Sequence, residues 1–372
     1  MIPLPQISVE QAGLRPEALE NLSRLIEGHI TEGRYTGAQI AIGRHGALAH
    51  VQSFGWAAPG LKAADDTLFL LYSNTKVLTA AVVWALVERG VLNFDDPVAK
   101  HVPEFAQAGK DKVKILHLLT HQAGFPDNHP DVELPYAAHT DHVLLRRLVC
   151  GFELSSEPGS RVVYHYNAAH WAVAVLVEAV TGQDFREAMR SLLIEPLGLW
   201  GELRLGVTDD VPNVAVMLEP FEGSLRRHQD DNPSRRAAGI PAGGAFGTAR
   251  AMACFYQALL HGGAFNGRQF LSQKTLDVAL ADVTGSRIVE NRGKPMHFAI
   301  GPRTRGTTPT SDEFGDQASP RAFGHTGAGS SMCWADPATG VSLAYVANTR
   351  TPDPWHSQRL RAINEAVHAA VI

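Results

Sequence analysis

The segment Leu71-Tyr72-Ser73-Asn74-Thr75-Lys76-Val77-Leu78 sets a serine and a lysine three residues apart, at the predicted start of a helix. Positions i and i+3 share a helix face, so the hydroxyl and the amine can meet. A serine hydroxyl is a weak nucleophile until a neighbouring group accepts its proton. A lysine amine can do so only if its pKa drops well below the usual value of about 10.4. Burial pushes it in that direction by penalising the charged form. Lysine is scarce in this chain, with 8 among 33 basic residues. Lys76 is the one lysine between Lys62 and Lys100, and it leads into a mostly apolar stretch, residues 77–87. Near a helix N-terminus, the Ser73 backbone N–H is also placed to donate to an oxyanion. Taken alone, the same pattern describes an N-cap serine followed by an exposed first-turn lysine, and the context has to decide.

The elements around this pair suggest how it is held. Residues 15–33 carry Leu19, Leu22, Leu25, Ile26 and Ile30 at helical spacing. Two strand-like runs, 39–43 and 47–53, flank Arg44-His45-Gly46 as a hairpin. The nucleophile helix is predicted over 75–89, with Gly90 closing it. From 95 to about 235 the pattern is helices and loops, including a strong helix over 168–180 that stops at Gly182. The polar stretch 219–236 reads as a surface loop. Strand signals return at 296–301 and 342–347, and a last helix is predicted over 355–371. The fold class expected is α/β (α+β), with an antiparallel sheet built from both chain ends and flanked by helices. Residues 1–95 and 236–372 would form a discontinuous α/β lobe and 96–235 a mainly helical lobe, with the active site between them.

Composition narrows the function. The chain has 372 residues, 45 % hydrophobic and 19 % charged, with a net charge of −5. It is an ordinary globular composition with no global basic signature for nucleic acid or anionic membranes. Cys150, Cys254 and Cys333 are odd in number and form no CxxC pair. The N-terminal residues lack a basic region followed by a long apolar one, so a cytoplasmic protein is expected. There is no GxSxG, no GxxxxGK[ST] and no HExxH. His117 and His121 stand at i,i+4, with His129, His139 and His142 following. A zinc site there is set aside because no HExxH glutamate accompanies the pair. Phe125, Trp171, Trp334 and Trp355 are candidates to line an acyl or alcohol pocket, although core packing is the commoner use of such residues.

In several segments the chain resembles the serine β-lactamase-like superfamily of class C β-lactamases, penicillin-binding DD-peptidases and family VIII carboxylesterases, and it is closest in character to the last. Ser73-x-x-Lys76 is similar to the SxxK motif of that group. Leu118-Leu119-Thr120-His121-Gln122-Ala123-Gly124 resembles its LLTHxSG segment, with Ala123 where serine is usual. Pro196-Leu197-Gly198-Leu199 and Ala242-Gly243-Gly244 also recur in such proteins, in the same order. The resemblance covers most of the chain. It implies a β-lactamase/transpeptidase-like fold and a tyrosine, usually in Tyr-x-Asn after a Pro-Gly turn, that relays the serine proton to the leaving group. Spacing from Pro158-Gly159 favours Tyr164, with Tyr166 as the alternative, and leaves the role of Asn167 open. The third element, His325-Thr326-Gly327-Ala328, stands where β-lactamases carry Lys-Thr-Gly to help bind a substrate carboxylate. Histidine is often neutral near pH 7, which favours neutral esters. The resemblance also gives the oxyanion to the backbone N–H groups of Ser73 and Ala328, and places His121, Phe125, Tyr166 and Asn167 near the pocket.

The reading these residues support is a serine hydrolase forming an acyl-enzyme: a carboxylesterase acting on short-chain esters. The alternatives are a class C-like β-lactamase, a D-aminopeptidase or DD-peptidase, or an acyltransferase using the same site. No cofactor or metal is expected. The partner is a small-molecule ester rather than nucleic acid or membrane, and the protein is a monomer or homodimer. A catalytically dead binding protein on this fold would have lost Ser73, Lys76 or both tyrosines, and none is lost.

Overall fold

The computed structural model describes residues 4–126, 141–265, 267–308 and 314–372. At its centre lies one antiparallel sheet of eight strands among the described residues. In chain order these are β1 (Gly37–Arg44), β2 (Ala47–Ala58), β3 (Leu61–Lys62), β4 (His297–Phe298), β5 (Arg303–Thr304), β6 (Phe323–Gly327), β7 (Ser331–Asp336) and β8 (Val341–Ala347). Their order across the sheet is β4-β5-β6-β7-β8-β1-β2-β3. The two ends of the chain therefore meet in the middle, where Ile40 of β1 lies opposite Tyr345 of β8.

Period-two alternation sorts the side chains of these central strands between two faces. Ala38, Ile40 and Ile42, with Leu343, Tyr345 and Ala347, point into one cluster. There they meet Leu19, Leu22 and Ile26 of helix α1 (Pro16–Thr31) and Leu360, Ile363 and Val367 of a C-terminal helix, Trp355–Ala370. Ala41, Ala344 and Val346 point the other way, into the larger cluster. That cluster holds helix α2 (Thr75–Glu88), helix α3 (Ala168–Thr181) and helix α4 (Ala249–Leu260); the C-terminal helix is α5.

Helix α2 is unlike an ordinary surface helix. Every residue from Thr75 to Leu86 is buried, as expected where apolar residues run around the whole circumference. It is the central post of the molecule. Trp84 is fully buried, and its Nε1 donates to Ile300 O at 2.9 Å.

The middle of the chain is less uniformly helical than its pattern suggests. Leu203–Leu205 pairs with Ala245–Gly247, and Leu218–Phe221 forms a hairpin with Ser224–Arg227. The stretch 219–236 is therefore no plain surface loop. It contains this hairpin and a short helix, Pro233–Ala237, and it buries charge by pairing it. Asp230 meets Arg235 at 3.1 Å, and Asp231 pairs with Arg227 and Arg236. Most of the stretch is solvent-exposed, as its polarity suggests, and its two buried carboxylates, Asp230 and Asp231, are compensated by arginines. Cys150, Cys254 and Cys333 are free and buried. Among the described residues, no helix is long and apolar enough to cross a membrane.

Because α2 carries the nucleophile motif, its packing sets both stability and activity. Trp84→Ala removes a buried indole and strands the Ile300 carbonyl, and is expected to cost about 3–5 kcal/mol. Urea unfolding measures this; a loss below about 1 kcal/mol would mean that the post is not the load-carrying element.

Candidate active site

Ser73 lies in a 3-10 turn, Tyr72–Asn74, directly ahead of α2 rather than inside the helix. Tyr72 has a φ of +46°, in the left-handed region that costs a bulky residue energy. The surrounding groups over-determine that conformation. Tyr72 OH donates to Asp230 Oδ2 at 3.0 Å. Asn74 Nδ2 donates to Leu71 O at 3.2 Å and to Ser331 Oγ at 2.9 Å, while Ser331 Oγ donates to Leu71 O at 3.0 Å. Strand β6 presses on the turn where it has no side chain. A Cβ on Gly327 would fall 2.1 Å from Ser331 Oγ and 2.4 Å from Leu71 O.

Lys76 is 1 % exposed, and its Nζ lies 3.3 Å from Ser73 Oγ. The amine also donates to Tyr166 O at 2.8 Å and Ala242 O at 3.1 Å. The Tyr164 hydroxyl stands 3.1 Å from Ser73 Oγ on another side, and Lys76 Nζ lies 5.3 Å from its ring centroid. Burial raises the Tyr164 phenol above its ordinary value, while its hydrogen bond to Ser73 acts in the opposite sense. Of the two candidate tyrosines, it is the Tyr164 hydroxyl that reaches the serine. Tyr166 contributes its carbonyl, and its side chain is half-exposed against the Tyr164 ring.

Tyr164 itself is clamped from a distant part of the chain. Asn291 Oδ1 accepts from Tyr164 N–H at 3.0 Å, and Asn291 Nδ2 donates to Tyr164 O at 2.9 Å. Asn291 belongs to a short hairpin in which Ile288–Val289 pairs with Lys294–Pro295. The neighbouring Arg292 guanidinium sits 4.9 Å from the Tyr164 ring centroid and 5.1 Å from that of Tyr166.

Behind Tyr164 lies a group of buried imidazoles. His121 is 4.6 Å from the Tyr164 ring, and His165 and His170 lie within 6 Å of His121. His325 is 6.1 Å from Tyr164. Its Nδ1–H donates to Thr326 O at 2.7 Å, and burial above all holds its pKa well below the usual histidine range. Burial lowers His121 and His170 in the same way, and brings His165 to about 4. These side chains therefore stay neutral at pH 7.

A cavity of about 850 Å³ opens in front of Ser73. Ser73, Lys76, Tyr164, Tyr166 and Asn167 line it, as do His325, Thr326, Gly327 and Ala328. Phe125 does not: it is fully buried against Phe105, Phe152 and His165, because the chain at 121–125 turns inward under the tyrosine. His121 likewise supports Tyr164 from behind instead of lining the pocket. Trp171, Trp334 and Trp355 pack away from the cavity, in α3, β7 and α5. His117 accepts from Lys114 N–H at 3.2 Å, whereas His142 pairs with Glu178 and lies 3.4 Å from Asp184. His129 and His139 lie outside the described residues. The sequence reading missed Tyr72, Asp230, Asn291 and a set of cations on the cavity wall, Arg235, Arg292, Lys294, Arg303 and Arg350. The polarity of 219–236 and the absence of apolar periodicity at 285–295 were the available signals.

A buried amine and a phenol converging on one serine beside strand β6 define a serine hydrolase of the β-lactamase and penicillin-binding-protein type. The chain belongs to the Beta-lactamase family, whose profile matches residues 22–368. It is 29 % identical over 355 residues to "Esterase/beta-lactamase LipL" of Mycobacterium tuberculosis, covering 85 % of this chain and 77 % of that one. It is 25 % identical to a "Putative D-alanyl-D-alanine carboxypeptidase" of Escherichia coli O157:H7, covering 93 % and 85 %. The crystal structure of a family VIII carboxylesterase superposes with a TM-score of 0.80 at 25 % identity, covering 96 % of this chain and 98 % of that one.

Two expectations follow from this geometry. Asn291→Ala removes both bonds to the Tyr164 backbone and is expected to lower kcat about tenfold, with KM moved far less and the fold intact; steady-state kinetics beside circular dichroism checks this, and an unchanged kcat would remove Asn291 from the site. The buried histidines give a pH dependence of stability. Their folded pKa values lie below the unfolded value of about 6.5, so the stability they carry is present above that pH and is lost as pH falls through it. For His165 alone, a shift to about 4 corresponds to roughly 3 kcal/mol between pH 6.5 and 4. Melting temperature should therefore drop steeply from pH 7 to 5, and a flat profile would contradict neutral burial.

Proposed function

We propose that the protein is a carboxylesterase that cleaves short-chain esters through an acyl-enzyme on Ser73. The observation that carries this reading is the convergence of Lys76 Nζ at 3.3 Å and Tyr164 OH at 3.1 Å on Ser73 Oγ. A neutral amine has two N–H groups and one lone pair. Lys76 Nζ, anchored by the carbonyls of Tyr166 and Ala242, takes the serine proton on that lone pair. Ser73 Oγ then attacks the ester carbonyl, and the N–H groups of Ser73 and Ala328 receive the oxyanion. Tyr164 hands its proton to the departing alcohol and regains one from the Lys76 ammonium, and water entering by the reverse route releases the acid.

The neutral His325 supports the ester assignment, because the position where β-lactamases hold a fixed cation carries none here. The esterase names among the relatives point the same way. A second reading, amide-directed hydrolysis of an anionic substrate, has one observation in its favour. Arg292, Arg303 and Arg350 line the cavity and would suit a carboxylate.

The test is a substrate panel on wild type and Ser73→Ala: p-nitrophenyl acetate and butyrate, nitrocefin, and a peptide ending in D-Ala-D-Ala. Ester turnover that Ser73→Ala lowers by at least about 10³-fold is expected. Fast turnover of nitrocefin or the peptide with little ester hydrolysis would overturn the ranking, and a fully active Ser73→Ala would overturn the mechanism.

A further inference from the structure

Arg359 on α5 is a buried cation that the proposed chemistry does not use. It is 2 % exposed. Among the described residues it has no carboxylate within ion-pair distance, and its Nε and Nη1 have no hydrogen-bond partner. Its guanidinium lies 4.9 Å from the Trp355 ring centroid, 5.3 Å from Tyr35 and 5.5 Å from Tyr345, so aromatic faces supply much of what a counter-ion would. His356 is held neutral beside it, pushed down to about 3 by burial and by the Arg359 charge. A lone charge in such a place is costly, and an apolar side chain of similar volume would fill the space at less cost. The charge needs a task.

The one oxygen to which Arg359 donates, among the described residues, is the Gly329 carbonyl, 3.0 Å from Nη2. Thr351 N–H donates to the same carbonyl at 2.9 Å. Gly329 follows Ala328 in the tight turn between β6 and β7, where Ser330 N–H closes on Gly327 O at 3.1 Å. Its φ is +62°, and a Cβ there would fall 2.5 Å from Thr351 O. The turn is thus pressed against residue 351 and tied to α5 by a guanidinium that cannot swing, because three rings box it in.

We infer that Arg359 is a positioning residue for the oxyanion hole, fixing the turn that aims the Ala328 N–H at the reacting carbonyl. This rests on the acyl-enzyme reading above. Its positive charge also adds a fixed favourable potential where negative charge develops in the reaction. Ground-state binding needs neither effect, so they appear in the turnover step and in affinity for tetrahedral, anionic adducts.

The test uses Arg359→Met and Arg359→Lys in the full chain, with circular dichroism and active-site titration to count folded enzyme. Two quantities are read: kcat and KM for p-nitrophenyl acetate, and the dissociation constant of phenylboronic acid, which adds to a serine oxygen as a tetrahedral anion, followed by protein fluorescence. Arg359→Met is expected to lower kcat about tenfold and weaken boronate binding by a similar factor, with KM within about twofold. Arg359→Lys keeps the charge and the reach to Gly329 O, and should recover part of both losses; it also serves if Arg359→Met does not fold. Loss of melting temperature with unchanged kcat and boronate affinity, or a rise in KM alone, would overturn the assignment. Should wild type hydrolyse no ester, the esterase reading fails, while the boronate comparison between wild type and the variants still decides the role of Arg359.

Discussion

The site depends on one amine held in place by backbone carbonyls. Lys76 reaches Ser73 because α2 is buried all round and because Tyr166 and Ala242, 90 and 166 residues further on, offer carbonyls to the same nitrogen. Those contacts join the post helix, the tyrosine loop and the 240s turn at one point. A side chain as flexible as lysine would otherwise spend most of its time elsewhere. In the proposed mechanism this buried placement lets a group that is ordinarily a surface cation act as the proton acceptor.

The environment of that amine explains much of what surrounds it. A carboxylate beside it would hold it protonated. Behind Tyr164 the structure instead places four imidazoles kept neutral by burial. Fixed charge is kept at the front and at the edges. Arg292 overlies the two tyrosines from the cavity side, and Asp230, Arg235 and Arg350 gather around Tyr72. The cavity wall is consequently rich in cations while the floor around Ser73 is largely neutral. Backbone geometry divides in the same way. The left-handed Tyr72 and the glycine-only contact at Gly327 sit where the nucleophile turn meets β6, so local strain is placed next to the reacting atom and compensated by buried hydrogen bonds.

What the sequence revealed follows from how local each feature is. Ser73 and Lys76 were legible because their relation is set by three residues of helical turn. The hairpin of β1 and β2 was legible because two short strand-like runs flank Arg44-His45-Gly46. Counting from Pro158-Gly159 leaned towards Tyr164 but kept Tyr166 open; only the path of the chain shows that one gives its hydroxyl and the other its carbonyl. Asn291, Asp230 and Arg359 were illegible. Their partners lie 127, 158 and 30 residues away, and nothing in their immediate sequence distinguishes a clamp from an ordinary surface residue. In the stretch 219–236 the exposed polar face was legible while the hairpin and the few buried ion pairs were not, because paired and solvated charges have the same composition. Phe125 misled because adjacency to a site motif says nothing about which side of the backbone faces the cavity.

The central claim is that Ser73 carries the acyl group, with its proton taken by Lys76 and relayed to the leaving alcohol through Tyr164. The most direct measurement is peptide mapping by mass spectrometry of enzyme quenched in acid during turnover of p-nitrophenyl butyrate. The account predicts one butyryl group on the peptide containing Ser73, formed within the first turnover and removed on further incubation. Turnover that leaves every quenched Ser73 peptide unmodified, or an acyl group on another residue that is formed and released at the rate of turnover, would contradict it.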